Sequence, residues 1–105
     1  MKRHYELLSD RLSYGFLPPE HLVNQIGYSF LRNGNDKDKS YALEFFKLNV
    51  ENYPKSANSY DSLGEAYEAI NDTKNAIINY NKSIDINPSN EYTKTKIEEL
   101  TRPDN

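Results

Sequence analysis

Histidine, cysteine and serine supply many catalytic nucleophiles and zinc ligands. In this sequence few of these residues are spaced as a catalytic or metal site requires. It has 105 residues, no cysteine, and two histidines, His4 and His21, which are 17 residues apart. A zinc site needs three or four ligands at close spacing, and no third ligand accompanies these two. The lack of cysteine also excludes disulfides and a thiol nucleophile. We therefore expect no metal site and no cysteine-based catalysis.

Two further stretches have some of the residues that chemistry would need, but each lacks others. A serine hydrolase presents its nucleophile in a G-x-S-x-G turn. That motif does not occur here, and Ser29 falls in the middle of a predicted helix. Residues 36–40, Asp-Lys-Asp-Lys-Ser, resemble the start of a calcium loop, yet Tyr41 and Lys47 stand where such a loop needs glycine and glutamate. With no glycine-rich phosphate loop either, the sequence predicts no catalytic residue and no cofactor, and hence no enzyme.

The composition of the chain argues against some classes of binding partner and favours one kind of architecture. The net charge is −3, which disfavours a phosphate backbone and hence a nucleic-acid partner. No apolar run approaches the roughly 18 residues of a membrane span. The N-terminus lacks the apolar stretch of a secretory signal, so the sequence does not indicate a compartment. Hydrophobic residues make up 36 %, below the roughly 45–50 % of an average domain, which favours a thin architecture whose elements each touch few others.

An internal repeat accounts for this composition. Pro54 and Pro88 lie 34 residues apart, and the pair Ala42 and Ala76 has the same spacing. Upstream, Gly27 and Gly64 are 37 residues apart, because the loop within residues 33–38 has a three-residue insertion relative to the corresponding loop around residues 71–72. An insertion in a loop leaves the register of the flanking helices intact. The chain therefore contains two copies of one helical unit.

The residues at the repeated positions resemble the tetratricopeptide repeat (TPR), whose pattern is W-x2-L-G-x2-Y, A-x3-F and P. The second copy fills the pattern with Tyr60, Leu63, Gly64, Tyr67, Ala76, Tyr80, Ser83 and Pro88. The first copy is more degenerate and has Val23, Ile26, Gly27, Phe30, Ala42, Phe46, Asn49 and Pro54. The resemblance implies an all-α TPR-type α-solenoid of two helix-turn-helix repeats with an N-terminal helix and a C-terminal capping helix.

Apolar periodicity and helix-end signals predict about six helices. These span residues 3–13, 19–33, 38–52, 56–70, 73–86 and 90–101. Asp38, Asp72, Ser56 and Ser89 each precede or begin a helix and are predicted to cap its free N–H groups. Gly64 and Ala76 are small at positions where the two helices of a hairpin must approach closely.

The repeat also divides the chain into segments. Residues 1–18 form an N-terminal helix and connector, residues 19–54 the first repeat with its three-residue insertion, residues 55–88 the second repeat, and residues 89–105 a capping helix and tail. Glu98 replaces the repeat glycine in the last helix, and Lys94, Lys96 and Glu99 give it a polar face, as a terminal repeat needs.

The N-terminal segment carries many apolar side chains for an outer helix. Those that we consider a candidate contact surface are Tyr5, Leu8, Leu12 and Phe16. Two interpretations stay open: the segment caps the first repeat, or its apolar side chains face a partner.

By analogy with TPR arrays, the first helix of each repeat lines a groove. The candidate groove residues are Asn24, Tyr28, Leu31, Arg32, Asn58, Asp61, Glu65 and Glu68. Residues 53–105 carry 6 basic and 9 acidic groups, whereas residues 1–52 carry 7 of each. Asp61 and Glu65 argue against the carboxylate clamp of chaperone-binding TPR proteins. A basic peptide, the chain's own Lys94 and Lys96, or solvent alone would match this acidic face better.

The order of motifs along nearly the whole chain resembles the C-terminal repeat extension of some bacterial serine hydrolases, chiefly α/β-hydrolase esterases. The segments that carry this likeness include residues 4–15, 18–28, 46–54 and 59–67. It implies a non-catalytic module for protein–protein or interdomain interaction, with the hydrolase domain upstream, as a monomer or weak homodimer. The alternative is an independent adaptor that binds a short basic or amphipathic peptide in the groove.

Overall fold

A computed structural model describes residues 18–102, and within them the chain forms five helices and no strand. The helices are α1 (Glu20–Asn33), α2 (Asp36–Asn52), α3 (Ala57–Ala69), α4 (Thr73–Ile86) and α5 (Glu91–Thr101). The all-helical class is thus confirmed for these residues, and every helix begins and ends within two residues of its predicted bounds. The predicted helix at residues 3–13 lies outside the described residues.

Each helix packs mainly on the next one along the chain, and α1 also contacts α3. The core lies between α2 and α3, where Ala42, Phe46, Leu63 and Ala66 are buried. Partly buried apolar side chains surround this cluster: Tyr28, Phe30, Leu31, Leu43, Val50 and Tyr67. Because each helix needs only a narrow apolar stripe for such neighbour contacts, the low hydrophobic content suffices for folding.

Two glycines allow the helices of each hairpin to approach closely. A Cβ atom on Gly64 of α3 would lie 2.7 Å from Cε1 of Tyr80 in α4. The corresponding atom on Gly27 of α1 would lie 2.5 Å from Cε1 of Phe46 in α2. Both rings are fully buried. The prediction that Gly64 permits close approach is confirmed, and both hairpins use the same glycine–aromatic contact.

The two degenerate positions of the first repeat are buried as well. Val23, in the position of the consensus tryptophan, is only 4 % exposed. Asn49 takes the place of a small residue at the α1–α2 contact and is 1 % exposed. Its Nδ2 atom donates a hydrogen bond to the carbonyl oxygen of Glu20 at 3.0 Å. A polar group at this position is tolerated because this bond satisfies part of its amide.

Two of the four predicted caps are correct and two are wrong. The side chains of Ser56 and Asp72 accept hydrogen bonds from backbone N–H groups of α3 and α4. The cap of α2 is Asn35 rather than Asp38, because the helix begins two residues earlier than predicted. The cap of α5 is Asn90 rather than Ser89. An asparagine carbonyl oxygen accepts such bonds as well as a serine or aspartate does.

Two helices end just before the repeat prolines, and a third is followed by a glycine. α2 and α4 end at Asn52 and Ile86, two residues before Pro54 and Pro88. Gly34 follows α1 in the left-handed conformation, with φ of 80°. This conformation strains other residues and favours glycine. None of the helices described in residues 18–102 is long and apolar enough to cross a membrane.

Candidate functional site

Asp61, Glu65 and Glu68 share one face of α3, as their spacing predicts, and we call them the α3 acidic row. All three are half-buried. Each of the three carboxylates accepts a hydrogen bond from a side chain on another helix, and Asp61 accepts a second one from the loop before α5. The row therefore joins α3 to its neighbours, and its members differ in how much of each carboxylate is left for a partner.

Asp61 holds the start of α5. The Oγ1 hydroxyl of Thr93 donates to one carboxylate oxygen at 2.8 Å, and Nδ2 of Asn90 donates to the other at 3.2 Å. Thr93 is fully buried, and Asn90 also caps α5. Both oxygens of Asp61 are thus engaged within the chain.

Glu68 is also fully engaged. It accepts a hydrogen bond from the Tyr80 hydroxyl at 2.8 Å, and its other oxygen lies 3.0 Å from Nζ of Lys96. Burial opposes the charge of Lys96, but the hydrogen bond to Glu68 and the negative charges around the ammonium group together outweigh burial and raise its pKa. Burial, together with the hydrogen bond to Glu68, raises the pKa of the Tyr80 hydroxyl far above its usual value. Of the two lysines considered as one possible cover of the acidic face, Lys96 pairs with Glu68, whereas Lys94 pairs with Glu91 on its own helix.

Glu65 has the fewest partners of the row. Its Oε1 atom accepts a hydrogen bond from the Tyr28 hydroxyl at 2.9 Å. That hydroxyl also lies 3.2 Å from Oγ of Ser62. No other hydrogen bond to Glu65 occurs among residues 18–102. Burial is the main cause of a raised pKa at Glu65, and the charges of Asp61 and Glu68 add to it. The Tyr28 hydrogen bond and the charge of Lys96 oppose this rise.

A shallow, open pocket of about 260 Å³ lies beside Glu65, between α1, α3 and α5. Its lining residues are Leu31, Glu65, Glu68, Ala69, Tyr92 and Lys96. Tyr92 is 61 % exposed, the largest value among the big hydrophobic side chains described. The pocket thus combines carboxylates, one lysine, an aromatic ring and two aliphatic side chains.

The structure brings only some of the predicted groove residues together. Glu65, Glu68 and Leu31 line the pocket. Tyr28 donates a hydrogen bond to Glu65, and Asp61 accepts one from Thr93 of α5. Three other candidates do not line it: Asn24, Arg32 and Asn58. Asn24 is half-buried with its Oδ1 atom unpaired, and the other two are exposed.

Sequence reasoning missed two lining residues, Ala69 and Tyr92. The sequence did contain a signal for Tyr92, because Tyr92 lies one 34-residue period after the groove candidate Asn58. The predicted apolar contact residues Tyr5, Leu8, Leu12 and Phe16 lie outside the described residues. Within the described part, α1 exposes two apolar side chains one turn apart, Leu22 at 46 % and Ile26 at 36 %.

Comparisons with known proteins add no assignment. No protein-family model matches the chain, and no curated protein matches it at a significant level. Among residues 18–102, no group of three or more His, Asp or Glu side chains is placed to hold a metal ion.

Proposed function

We propose that this chain is a non-catalytic helical-repeat module of the TPR type that mediates protein–protein or interdomain interaction. The observation that carries the proposal is the repeated glycine–aromatic contact, Gly27 with Phe46 and Gly64 with Tyr80. Two hairpins built on the same close contact at repeat-equivalent positions are what a duplicated unit predicts.

Contacts between alternate helices support an array in which α1, α3 and α5 lie in sequence along one face. Tyr28 of α1 hydrogen-bonds Glu65 of α3, and Asp61 of α3 accepts from Thr93 of α5. Helical arrays of this kind present one extended face to partners. In this chain that face contains the pocket beside Glu65.

Peptide selection tests the proposal directly. The purified chain is immobilised and exposed to a displayed library of random dodecapeptides, and enriched sequences are resynthesised for affinity measurement by fluorescence anisotropy. Saturable binding in the micromolar range is the expected result. Esterase activity in the purified chain that is lost when one serine is replaced would overturn the non-catalytic assignment.

The interdomain form of the proposal rests on the resemblance to the C-terminal extension of bacterial esterases. There the apolar N-terminal residues would contact the neighbouring domain. We expect Leu8→Asp to abolish association with that domain in a pull-down. Retained association would argue against this form and leave peptide binding as the function.

The second candidate, an adaptor for a short basic peptide, is favoured by the incomplete pairing of Glu65. Replacing both Asp61 and Glu65 with lysine would be a poor test, because the loss of Asp61 also removes the hydrogen bonds to Thr93 and Asn90 that hold α5. Glu65→Gln is better, since an amide oxygen can still accept the Tyr28 hydrogen bond while the charge is removed. We expect this variant to lose binding of basic peptides selected from the library.

A further inference from the structure

We propose that the pocket lined by Leu31, Glu65 and Tyr92 binds the guanidinium group of one arginine side chain on a partner protein. This inference rests on the adaptor function proposed above and names the group that the adaptor would recognise. The pocket of about 260 Å³ is open to solvent on one side, so a side chain can enter it from a bound peptide.

The first argument is the balance of charge in the pocket. Among residues 18–102, Lys96 is the one cation lining it, and Lys96 is already paired with Glu68 at 3.0 Å. From the described part of the chain Glu65 receives a single hydrogen bond, from a neutral hydroxyl, whereas a carboxylate can accept about four. The Oε2 atom of Glu65 accepts no hydrogen bond from residues 18–102. A cation in the pocket would therefore meet a carboxylate whose charge Lys96 offsets only in part.

The burial of that carboxylate is the second argument. Desolvation and the charges of Asp61 and Glu68 raise the pKa of Glu65, so its ionised form is disfavoured in the free protein. A cation bound beside it relieves this cost, since an opposite charge at short range favours ionisation. A partner without positive charge would leave the cost in place.

The aromatic and aliphatic walls are the third argument, and they favour arginine over lysine. The Tyr92 ring is 61 % exposed at the pocket, and Leu31 and Ala69 provide apolar surface for the methylene groups of a long side chain. A guanidinium is planar and weakly hydrated, so it stacks on aromatic rings and forms paired bonds to a carboxylate. An ammonium holds its water more strongly and cannot stack.

The test uses the full chain labelled with ¹⁵N, titrated with N-acetyl-arginine amide and followed by amide chemical shifts. We expect saturable shifts at Leu31, Glu65 and Tyr92. N-acetyl-citrulline amide, which has the same shape without the charge, is expected to bind at least about tenfold more weakly, as is N-acetyl-arginine amide to the Glu65→Gln variant. Tyr92→Leu is expected to weaken binding about threefold through loss of stacking.

Glu51→Gln is the matched control, because it removes the same charge from an exposed position on α2. It should leave the affinity unchanged. Equal binding of arginine and citrulline amides, or full binding by the Glu65→Gln variant, would overturn the proposal. Selected peptides that bind elsewhere on the chain would also overturn it, and the interaction function proposed above would then stand without this pocket.

Discussion

The Tyr28 hydroxyl donates a hydrogen bond to the Glu65 carboxylate at 2.9 Å, and the two residues occupy the same position in successive repeats. Each follows the glycine of its own repeat, Gly27 or Gly64. Residues one repeat apart thus meet across the α1–α3 contact, and the same contact positions Glu65 at the pocket. This one pair of side chains therefore contributes both to the contact between the repeats and to the candidate binding site.

Loss of this pair should weaken the protein. Tyr28→Phe removes the hydroxyl and leaves the half-buried Glu65 carboxylate without its donor, so we expect the free energy of unfolding to fall by about 1–3 kcal/mol. Urea denaturation measures the change. Tyr41→Phe, on exposed Tyr41 of α2, is the control and should unfold like the wild type. A wild-type midpoint for Tyr28→Phe would contradict the role given to the bond.

The close contact between Gly64 and Tyr80 predicts whether alanine at position 64 raises or lowers the stability of the fold. Alanine in place of glycine on an open helix stabilises by about 1 kcal/mol. At Gly64 the new methyl group would lie 2.7 Å from Tyr80, so we expect Gly64→Ala to destabilise by about 1–3 kcal/mol instead. Thermal unfolding of this variant beside Ser29→Ala, at an exposed position of α1, tests it. A raised melting temperature would show that the helices are not in close contact there.

The attachment of α5 depends on Asp61. Thr93→Val keeps the buried shape but removes the hydroxyl that donates to Asp61 at 2.8 Å. We expect faster amide hydrogen exchange across residues 91–101, with residues 36–52 unchanged, because the bond lies at one end of the molecule. Thr95→Val, at an exposed position of α5, is the control. Equal amide exchange rates in the Thr93→Val and Thr95→Val variants would show that the hydrogen bond to Asp61 does not anchor α5.

Glu65 should give stability an unusual dependence on pH. Its pKa is raised by folding from 4.5, so its ionised form costs stability that is absent below 4.5 and grows as pH rises through the folded pKa. Glu65→Gln lacks this cost. We expect the variant to gain stability relative to the wild type between pH 4 and pH 7, measured by urea denaturation. A difference that stays constant with pH would argue against the raised pKa.

Asp72 should show the opposite dependence. Hydrogen bonds from the side chain and backbone of Asn75 lower its pKa below 3.8. The stability that its charge contributes is therefore present above 3.8 and lost as pH falls through the folded pKa. Asp72→Asn keeps a good helix cap without the charge. We expect this variant to be less stable than the wild type at pH 7 and to match it at acid pH, by thermal unfolding.

The sequence by itself determined the helices and their order. Prolines and capping residues at the helix ends, together with the apolar period, placed five helices within two residues of their observed bounds, because these signals act locally. The repeat spacing also identified Gly64 as a point of close approach. Helix caps were less certain, since Asn35 competes with Asp38 and Asn90 with Ser89 for the same free N–H groups.

Only the tertiary structure decided which carboxylates of the α3 acidic row are available to a partner. Asp61, Glu65 and Glu68 look equivalent in sequence, as they share one face of α3. Their partners come from residues 28, 80, 90, 93 and 96, on other helices and the loop before α5. Sequence spacing fixes the direction of a side chain from its own helix but not what another helix brings to it. That is why Asp61 and Glu68 prove to be internal anchors, and why Glu65 alone of the three keeps an oxygen unpaired within residues 18–102.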